Sequence, residues 1–488
     1  MKQFLLLLTL CFTIDSWAEE RDSSKSDSPN ILVENENLLI DNIPITSVDS
    51  VSDIAYNQYG VQVSRIPLQA ESQDGFLVFT SKNTAYKIWL DLRLQVDGAL
   101  FFGANKDYDP IGNGVSIRRA RFAVKAQLTK NWYGELDTDW ANGKFELKDA
   151  IIRFDGIENT EIQVGNFKEF FSMNRDNSSR YLQFMERPMV VQALAPGRHI
   201  GANVKWTKDL WWFSGGVFFQ SVDNLETRTN VETNNKDYGR NEGMSYTIKG
   251  VIRPGWNKPD WGLHIGLAGS YRQPKTDVAA DVYGMTRFST RNNTSINRKK
   301  YLDTNTIPYV HYDLLYTGEF AGFYKGIRFE MAYIANDTHI RHDAPSSVNK
   351  STKHFWGWYA QAGYLLFGGL QRYDLNGGKF TRVARGRKWG DVELCFRYDY
   401  LSLNSKNIEG GAGEAYALGL NYYINNNVKI MLEYQYINND RYANGKDKLF
   451  VGHDINGKPT KDPHKVTESK NKAGVDYSML GVRFEIDF

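Results

Sequence analysis

Apolar and polar residues alternate along much of the chain, and the pattern continues to the last residue. In residues 478–488 the apolar positions are Leu480, Val482, Phe484, Ile486 and Phe488, separated by glycine or charged residues. A period of two predicts β-strands with one apolar and one polar face. Several such segments are about nine residues or longer, which is enough for a tilted strand to cross a bilayer.

Sixteen segments of this kind can be placed along the chain. An even number is typical of bacterial membrane barrels. The predicted strands are 87–101, 116–129, 132–141, 144–155, 160–167, 198–207, 210–221, 243–253, 262–272, 306–317, 326–336, 354–367, 389–403, 414–423, 427–438 and 476–488. We expect the last strand to pair with the first, near Ile88 to Val96, because a closed barrel has no free edge.

The connections alternate in length, which supports the same fold. Short turns are predicted at 130–131, 156–159, 207–209 and 425–426, on one side of the barrel. Long connections, at about 168–197, 222–242, 273–305 and 439–475, fall on the opposite side. A segment around 368–388 is longer than the other turns on its side. The pattern predicts an all-β protein: a transmembrane antiparallel β-barrel of 16 strands.

The amino terminus reads as a secretory signal peptide over residues 1–18, with Lys2, an apolar run and a Ser16-Trp17-Ala18 cleavage site. A short membrane anchor is the alternative, and Leu10 argues against a lipoprotein at Cys11. We expect residues 19–60 to be a polar lead-in and residues 61–488 to be the barrel domain. Cleavage would leave Cys395 as the single cysteine, which excludes an intrachain disulfide.

Charge and hydropathy add two constraints. The net charge is +2, so nothing in the sequence predicts nucleic-acid binding. The mean hydropathy is −0.50, which a barrel porin shares with soluble proteins because only alternate strand residues are apolar. The longest uncharged stretch, residues 355–371, contains four glycines and is too short for a membrane helix.

Residues 164–201 carry the most specific likeness to a known family, through Ser-Ser-Arg-Tyr at 178–181 and Phe-Met-Glu-Arg at 184–187. Together with 389–404 and 418–436, they resemble the phosphate-selective porin O and P family of bacterial outer-membrane channels. The resemblance implies a homotrimer in the outer membrane, with an inward-folded third outer loop that narrows each pore. It also implies passive diffusion of small hydrophilic solutes, anions such as phosphate among them. Phe488 resembles the terminal aromatic that outer-membrane proteins present to their assembly machinery, and the apolar strand faces would contact lipid.

Candidate pore-lining residues lie on the polar faces of the first three strands and in the third outer loop. A basic wall would come from Arg93, Arg119, Arg121 and Lys125, and an acidic wall from Glu135, Asp137 and Asp139. Such walls would create a transverse field across the pore. Alternatively, the charges pair between neighbouring strands and keep the lumen wet. In the loop, Arg175 and Arg180 are the candidates for side chains that reach the solute path.

Enzymatic chemistry is not indicated. His339 and His342 have the spacing of metal ligands but no third ligand, and Cys395 has no activating partner. We therefore expect no catalytic residues, no metal and no cofactor. The alternative to a channel is a barrel with a structural or adhesive role through its outer loops.

Overall fold

The structure is a computed structural model that describes residues 54–64, 66–73, 75–103, 111–222, 243–274, 284–296, 299–445, 447–469 and 473–488. The expected signal peptide and most of the expected lead-in lie outside these residues. The chain divides into two units, with the boundary between Ile66 and Pro67. In the first unit, Ile54–Tyr56 and Gln62–Ser64 form a short antiparallel hairpin.

The second unit contains a closed antiparallel barrel of sixteen long strands within the described ranges. The strands are β1 Lys87–Phe102, β2 Gly114–Leu128, β3 Trp132–Asp139, β4 Glu146–Ile157, β5 Thr160–Lys168, β6 Arg198–Lys208, β7 Trp211–Phe218, β8 Met244–Ile252, β9 Trp261–Gln273, β10 Val310–Tyr324, β11 Ile327–Ile340, β12 Lys353–Leu365, β13 Asp391–Ser405, β14 Ile408–Tyr423, β15 Val428–Asn439 and β16 Tyr477–Asp487. Two α-helical turns, α1 Met173–Asp176 and α2 Met189–Ala193, lie between β5 and β6. No helix of the described residues is long and apolar enough to cross a membrane.

The prediction of sixteen strands is confirmed, and most boundaries agree within a few residues. The largest differences are β10, which ends at Tyr324 rather than at 317, and β14, which begins at Ile408 rather than at 414. In both cases a two-residue hairpin turn extends the pairing beyond the segment in which the alternation is visible.

The barrel closes between β16 and β1, from Ser478↔Phe102 to Asp487↔Arg93. The closing contact therefore lies further along β1 than the predicted stretch from Ile88 to Val96. The first residues of β1 pair instead with a hairpin formed by Leu68–Gln73 and Phe76–Ser81, through Phe79↔Ile88. The pairing of β16 with β1 stops at Arg93, and the hairpin pairs with β1 at Lys87, Ile88 and Trp89 in its place.

Alternate residues of the strands differ sharply in exposure. On β1, the outward-facing Leu94 and Leu100 are 42% and 43% exposed, whereas Gln95 and Asp97 are 0% and 1% exposed. The apolar set therefore faces outward and the polar set faces the barrel interior, as a membrane barrel requires. A buried apolar cluster inside the barrel includes residues of α2 and inward-facing residues of β12 and β13.

Placing a charge on the outward face should destabilise the barrel. Leu267, midway along β9, is 71% exposed on this face. We expect Leu267→Arg to lower the free energy of unfolding by about 2–4 kcal/mol, because an arginine at the bilayer midplane loses its hydration. Urea titrations of refolding into lipid vesicles measure this difference. Leu267→Ala is the control and should cost less, and equal losses for the two variants would contradict a lipid-facing position.

Candidate functional site

A cavity of about 320 Å³ lies inside the barrel, beside the inward faces of β1–β6. Its other side is formed by residues between β5 and β6 and by residues 374–379 of the connection between β12 and β13. Six predicted pore residues line it: Arg93, Arg119, Arg121, Lys125, Glu135 and Asp137. The strand alternation brings these side chains together because each occupies an inward position.

The predicted basic and acidic walls lie side by side, because β2 pairs with β3. Lys125 lies 3.6 Å from Glu135, and Arg121 lies 3.5 Å from Asp137 and 3.1 Å from Asp139. These contacts match the alternative in which the charges pair between neighbouring strands. Asp139 contacts Arg121 but is not part of the cavity lining.

The two predicted loop arginines have other partners. Arg175 donates from Nε to the carbonyl oxygen of Pro196 at 3.1 Å. Arg180 forms ion pairs with Asp91 and, at 2.9 Å, with Asp487. Neither arginine lines the cavity, and both contacts fix the segment between β5 and β6 in place.

The cavity lining has an excess of basic side chains, ten against seven acidic ones. Six of the acidic side chains form ion pairs with basic residues, and Asp374 is the exception in the described part of the chain. Among the basic side chains, five have no carboxylate oxygen within 4 Å in the same described ranges: Arg93, Arg119, Lys168, Arg187 and Lys379. The positive charge that remains uncompensated therefore lies at these five positions.

Three of these bases converge on two carbonyl oxygens at the end of α1. Lys168 Nζ and Arg187 Nη2 donate to the carbonyl of Asn177, at 3.0 and 2.7 Å. Lys168 Nζ and Lys379 Nζ both lie 3.4 Å from the carbonyl oxygen of Asp176. Burial, and then the nearby Arg175, lowers the pKa of Arg187 to about 9. We call Lys168, Arg187 and Lys379 the cation cluster.

The other two unpaired bases each bind a neutral oxygen. Arg93 Nη1 donates to Ser179 Oγ at 2.7 Å, and Arg119 Nη1 donates to Gln95 Oε1 at 2.5 Å. Neutral partners hold the guanidinium groups in position without cancelling their charge. Both groups therefore remain available to attract an anion.

Arg118 faces the lumen, although the alternation of apolar and polar residues predicts the opposite orientation. With Arg119 facing inward, a regular strand would point Arg118 toward lipid. The register between β1 and β2 shifts at this point, from Gln95↔Arg119 to Val96↔Ile117, so Arg118 is the extra residue of a β-bulge. Its guanidinium forms an ion pair with Glu186. Arg118 and Arg119 therefore both face the lumen, although they are adjacent in sequence.

Charge pairing also controls the ionisation of Glu186, which lies in the segment between β5 and β6. Burial alone would raise the pKa of this carboxyl group. Arg118, followed by Arg119 and Arg483, holds the pKa well below its usual range. Glu186 is therefore ionised and forms a charged contact with the barrel wall.

Residues 169–197 are bound to the inward-facing side chains of β10–β16. Glu319, Glu433 and Asp399 accept hydrogen bonds from the backbone N–H groups of Met173, Met185 and Met189, at 2.7, 2.7 and 3.3 Å. Backbone carbonyls of the same segment accept from wall cations. Arg483 Nη1 donates to Met185 at 2.6 Å, Arg397 Nη1 to Glu186 at 2.8 Å and Lys429 Nζ to Arg180 at 2.8 Å. The cavity lies between this segment and the inward faces of β1–β6.

The connection at 366–390 also contacts inward-facing side chains. Within it, Tyr373–Asp374 pairs with Lys379–Phe380. Its Asn376 carbonyl accepts from Trp212 Nε1 at 3.0 Å, and the Tyr373 hydroxyl lies 2.6 Å from His264 Nδ1. The unusual length predicted for this turn is thus explained by a small hairpin that packs against β7 and β9.

Three acidic groups of the cavity lie close enough for a cation to bridge them. The carboxylate oxygens of Glu135, Asp137 and Asp149 lie within 4.8 Å of one another. Each carboxylate is already paired with a base, Lys125, Arg121 or Arg198.

The other two candidates for chemistry lie outside the cavity. The His339 ring stacks on the Tyr312 ring, with ring centroids 4.3 Å apart, and the buried Cys395 thiol accepts a hydrogen bond from Asn421.

Comparison with known families resolves the identity of the fold. Residues 88–455 match the model of the phosphate-selective porin O and P family, and this match covers β1 through β15. The chain belongs to the phosphate-selective porin O and P family. This porin therefore resides in the bacterial outer membrane.

Individual relatives are distant. The porin is 24% identical to Porin O of Pseudomonas aeruginosa over 399 residues, which is 75% of this chain and 85% of Porin O. It is 25% identical to an uncharacterized protein of Caulobacter vibrioides over 338 residues, covering 66% of this chain and 63% of that protein. Among solved structures, the anion-selective porin from Comamonas acidovorans matches with a TM-score of 0.45 and 9% identity, over 83% of this chain and 100% of that chain.

Proposed function

We propose that this porin is a non-enzymatic channel for passive diffusion of small hydrophilic solutes, with a preference for anions that include phosphate. The observation that carries this proposal is the set of five bases without carboxylate partners, all of which line one cavity. In the same cavity nearly all acidic groups are neutralised by ion pairs. Ion selectivity in a pore follows the charges that remain along the path.

The proposed path runs between β1–β6 and the segment 169–197. We propose that this segment is the inward-folded third outer loop and narrows the channel. Its many bonds to β10–β16 support this role, because they hold the segment inside the barrel, where it forms one side of the basic cavity. On this reading Arg93, Arg119 and the cation cluster contact the solute, whereas Arg175 and Arg180 hold the loop.

The exposed apolar side chains on the outside of the barrel indicate what the barrel contacts. We propose that the exposed apolar belt contacts outer-membrane lipid and, over part of its circumference, two further copies of the chain in a homotrimer. Phe484, Ile486 and Phe488 are outward-facing and 40–44% exposed, so the terminal aromatic side chain is accessible to the assembly machinery. The trimer is tested by crosslinking in detergent, and a monomer alone would contradict it.

Reversal potentials across a planar bilayer test the proposed selectivity. In a tenfold KCl gradient, a pore that conducts only one of the two ions gives a reversal potential of about 59 mV. We expect the measured potential to have the sign of a chloride-selective pore. Arg119→Ala with Arg121→Ala should shift the potential toward the cation side. The double change removes one unpaired base and leaves Asp137 and Asp139 without Arg121, which forms ion pairs with both.

Three outcomes would count against this proposal. Absence of any open channel would contradict a diffusion function, and a cation-selective wild type would contradict the anion preference. An unchanged potential in the double variant would show that this part of the cavity is not on the path. Repeating the measurement with phosphate in place of chloride tests whether phosphate permeates.

A further inference from the structure

The inward face of the barrel carries apolar side chains where alternation would place polar ones. Ile151 on β4 and Phe167 on β5 face inward at the cavity, although Phe167 is only 2% exposed, and Phe170, two residues after the end of β5, lines the cavity as well. Ile151 and Phe170 are partly exposed although they lie inside the barrel. A water-filled lumen gains nothing from apolar side chains that remain wet, so this surface calls for an apolar partner.

The three side chains differ in how they are supported. The Phe167 ring packs edge-on against Phe218, with ring centroids 5.5 Å apart. The Phe170 ring packs edge-on against Trp212, with centroids 5.7 Å apart, and Trp212 is only 1% exposed. Trp212 is in turn fixed by its hydrogen bond to the Asn376 carbonyl. Phe170 is therefore held from behind, while its partial exposure leaves part of the ring facing the cavity.

The apolar wall adjoins the cation cluster. Phe167 and Phe170 lie on either side of Lys168 in sequence, and Lys168 shares the Asn177 carbonyl with Arg187. Lys379 lines the same cavity and approaches the neighbouring Asp176 carbonyl. A ligand in this part of the cavity would meet positive charge and an apolar surface together.

We propose that this porin binds and conducts organic anions in which a phosphate or carboxylate is attached to an aromatic ring. This inference rests on the proposed anion channel and names a solute class for its cavity. The anionic group would lie at Lys168, Arg187 and Lys379, and the ring would lie against Ile151 and Phe170, with the buried Phe167 packed behind this surface. At about 320 Å³, the cavity leaves space for a carbon body beside the anionic group.

The experiment compares phenyl phosphate with methyl phosphate, which carry the same anionic group. In planar bilayers, the concentration of each ester that halves the chloride current is measured, and calorimetric titration of the detergent-solubilised porin gives the binding constants. We expect phenyl phosphate to bind about three- to tenfold more tightly, as aromatic contacts of this kind allow. Equal affinities for the two esters would overturn the inference.

Phe170→Leu tests whether the wall is responsible, since it keeps an apolar side chain against Trp212 but removes the ring. We expect the variant to lose most of the preference for phenyl phosphate and to keep its affinity for inorganic phosphate. Phe396→Leu is the matched control, because Phe396 is 53% exposed on the outward face of β13. If Phe170→Leu still bound phenyl phosphate more tightly than methyl phosphate, the inference would be overturned. Equal loss of affinity for both esters would also overturn it, because such a loss indicates a structural role for Phe170.

The two measurements separate this inference from the function on which it rests. Chloride and phosphate currents without a preference for the aryl ester would overturn the inference alone. Tighter calorimetric binding of phenyl phosphate to a porin that does not conduct would overturn the channel and retain the site. Absence of binding and of current would overturn both.

Discussion

Replacing Lys168 and Arg187 together by glutamine is expected to remove most of the anion preference of the channel. The two side chains donate to one carbonyl oxygen, that of Asn177, and no carboxylate of the described residues lies within 4 Å of either. At about 5 Å and an effective dielectric constant between 20 and 80, a unit charge attracts an anion by about 1–3 kcal/mol. Loss of two such charges should move the reversal potential in a tenfold KCl gradient from the chloride side toward zero.

A matched control removes the same total charge elsewhere. Lys325 and Lys406 lie in the two-residue turns after β10 and β13, outside the cavity lining. Lys325→Gln with Lys406→Gln should leave the reversal potential within a few millivolts of the wild type, since both side chains are exposed to solvent, where salt screens their charge over about 10 Å. Equal shifts in the two double variants would mean that overall charge, rather than the cation cluster, sets the selectivity.

The architecture was predictable because one physical rule governs all sixteen strands. Residues that face lipid must be apolar and residues that face the lumen are free to be polar, so the alternation reveals each strand without knowledge of its neighbours. The same rule predicts inward positions for Arg93, Arg119, Arg121, Lys125, Glu135 and Asp137, and the structure has these six side chains at the cavity. It failed at the ends of β10 and β14, where pairing continues through tight turns after the alternation weakens.

The details of the site depend on information that the alternation does not contain. Arg118 faces inward through a bulge, and a shift in register cannot be recognised from the spacing of apolar residues in one strand. Ile151 and Phe167 could not be recognised as cavity residues either, because an apolar residue at an inward position weakens the alternation without indicating a site. The roles of Arg175 and Arg180 depend on partners such as Pro196 and Asp487, which are distant in sequence.

Breaking the contact between Arg483 and Asp97 is expected to have the largest effect on stability and on conductance. Arg483 is 0% exposed, and its Nε and Nη2 atoms each lie 2.7 Å from an Asp97 oxygen. Its remaining nitrogen, Nη1, holds the Met185 carbonyl of the proposed constriction loop at 2.6 Å. Arg483→Met leaves Asp97 buried without a counter-charge, which costs about 3–5 kcal/mol for pairs of this kind. We expect refolding into vesicles to require correspondingly lower urea, and single-channel conductance to rise as the loop loosens.

A second variant separates the charge pair from the anchoring of the loop. Arg483→Met combined with Asp97→Leu replaces the pair by apolar side chains of comparable volume, and such replacements are often close to neutral for stability. The double variant should regain most of the lost free energy of unfolding, yet its conductance should stay raised because the Met185 carbonyl still lacks Arg483. If stability and conductance both returned to the wild-type values, the arginine would serve the barrel wall alone. The loop would then be held in place by its other contacts, those with Glu319, Glu433 and Asp399.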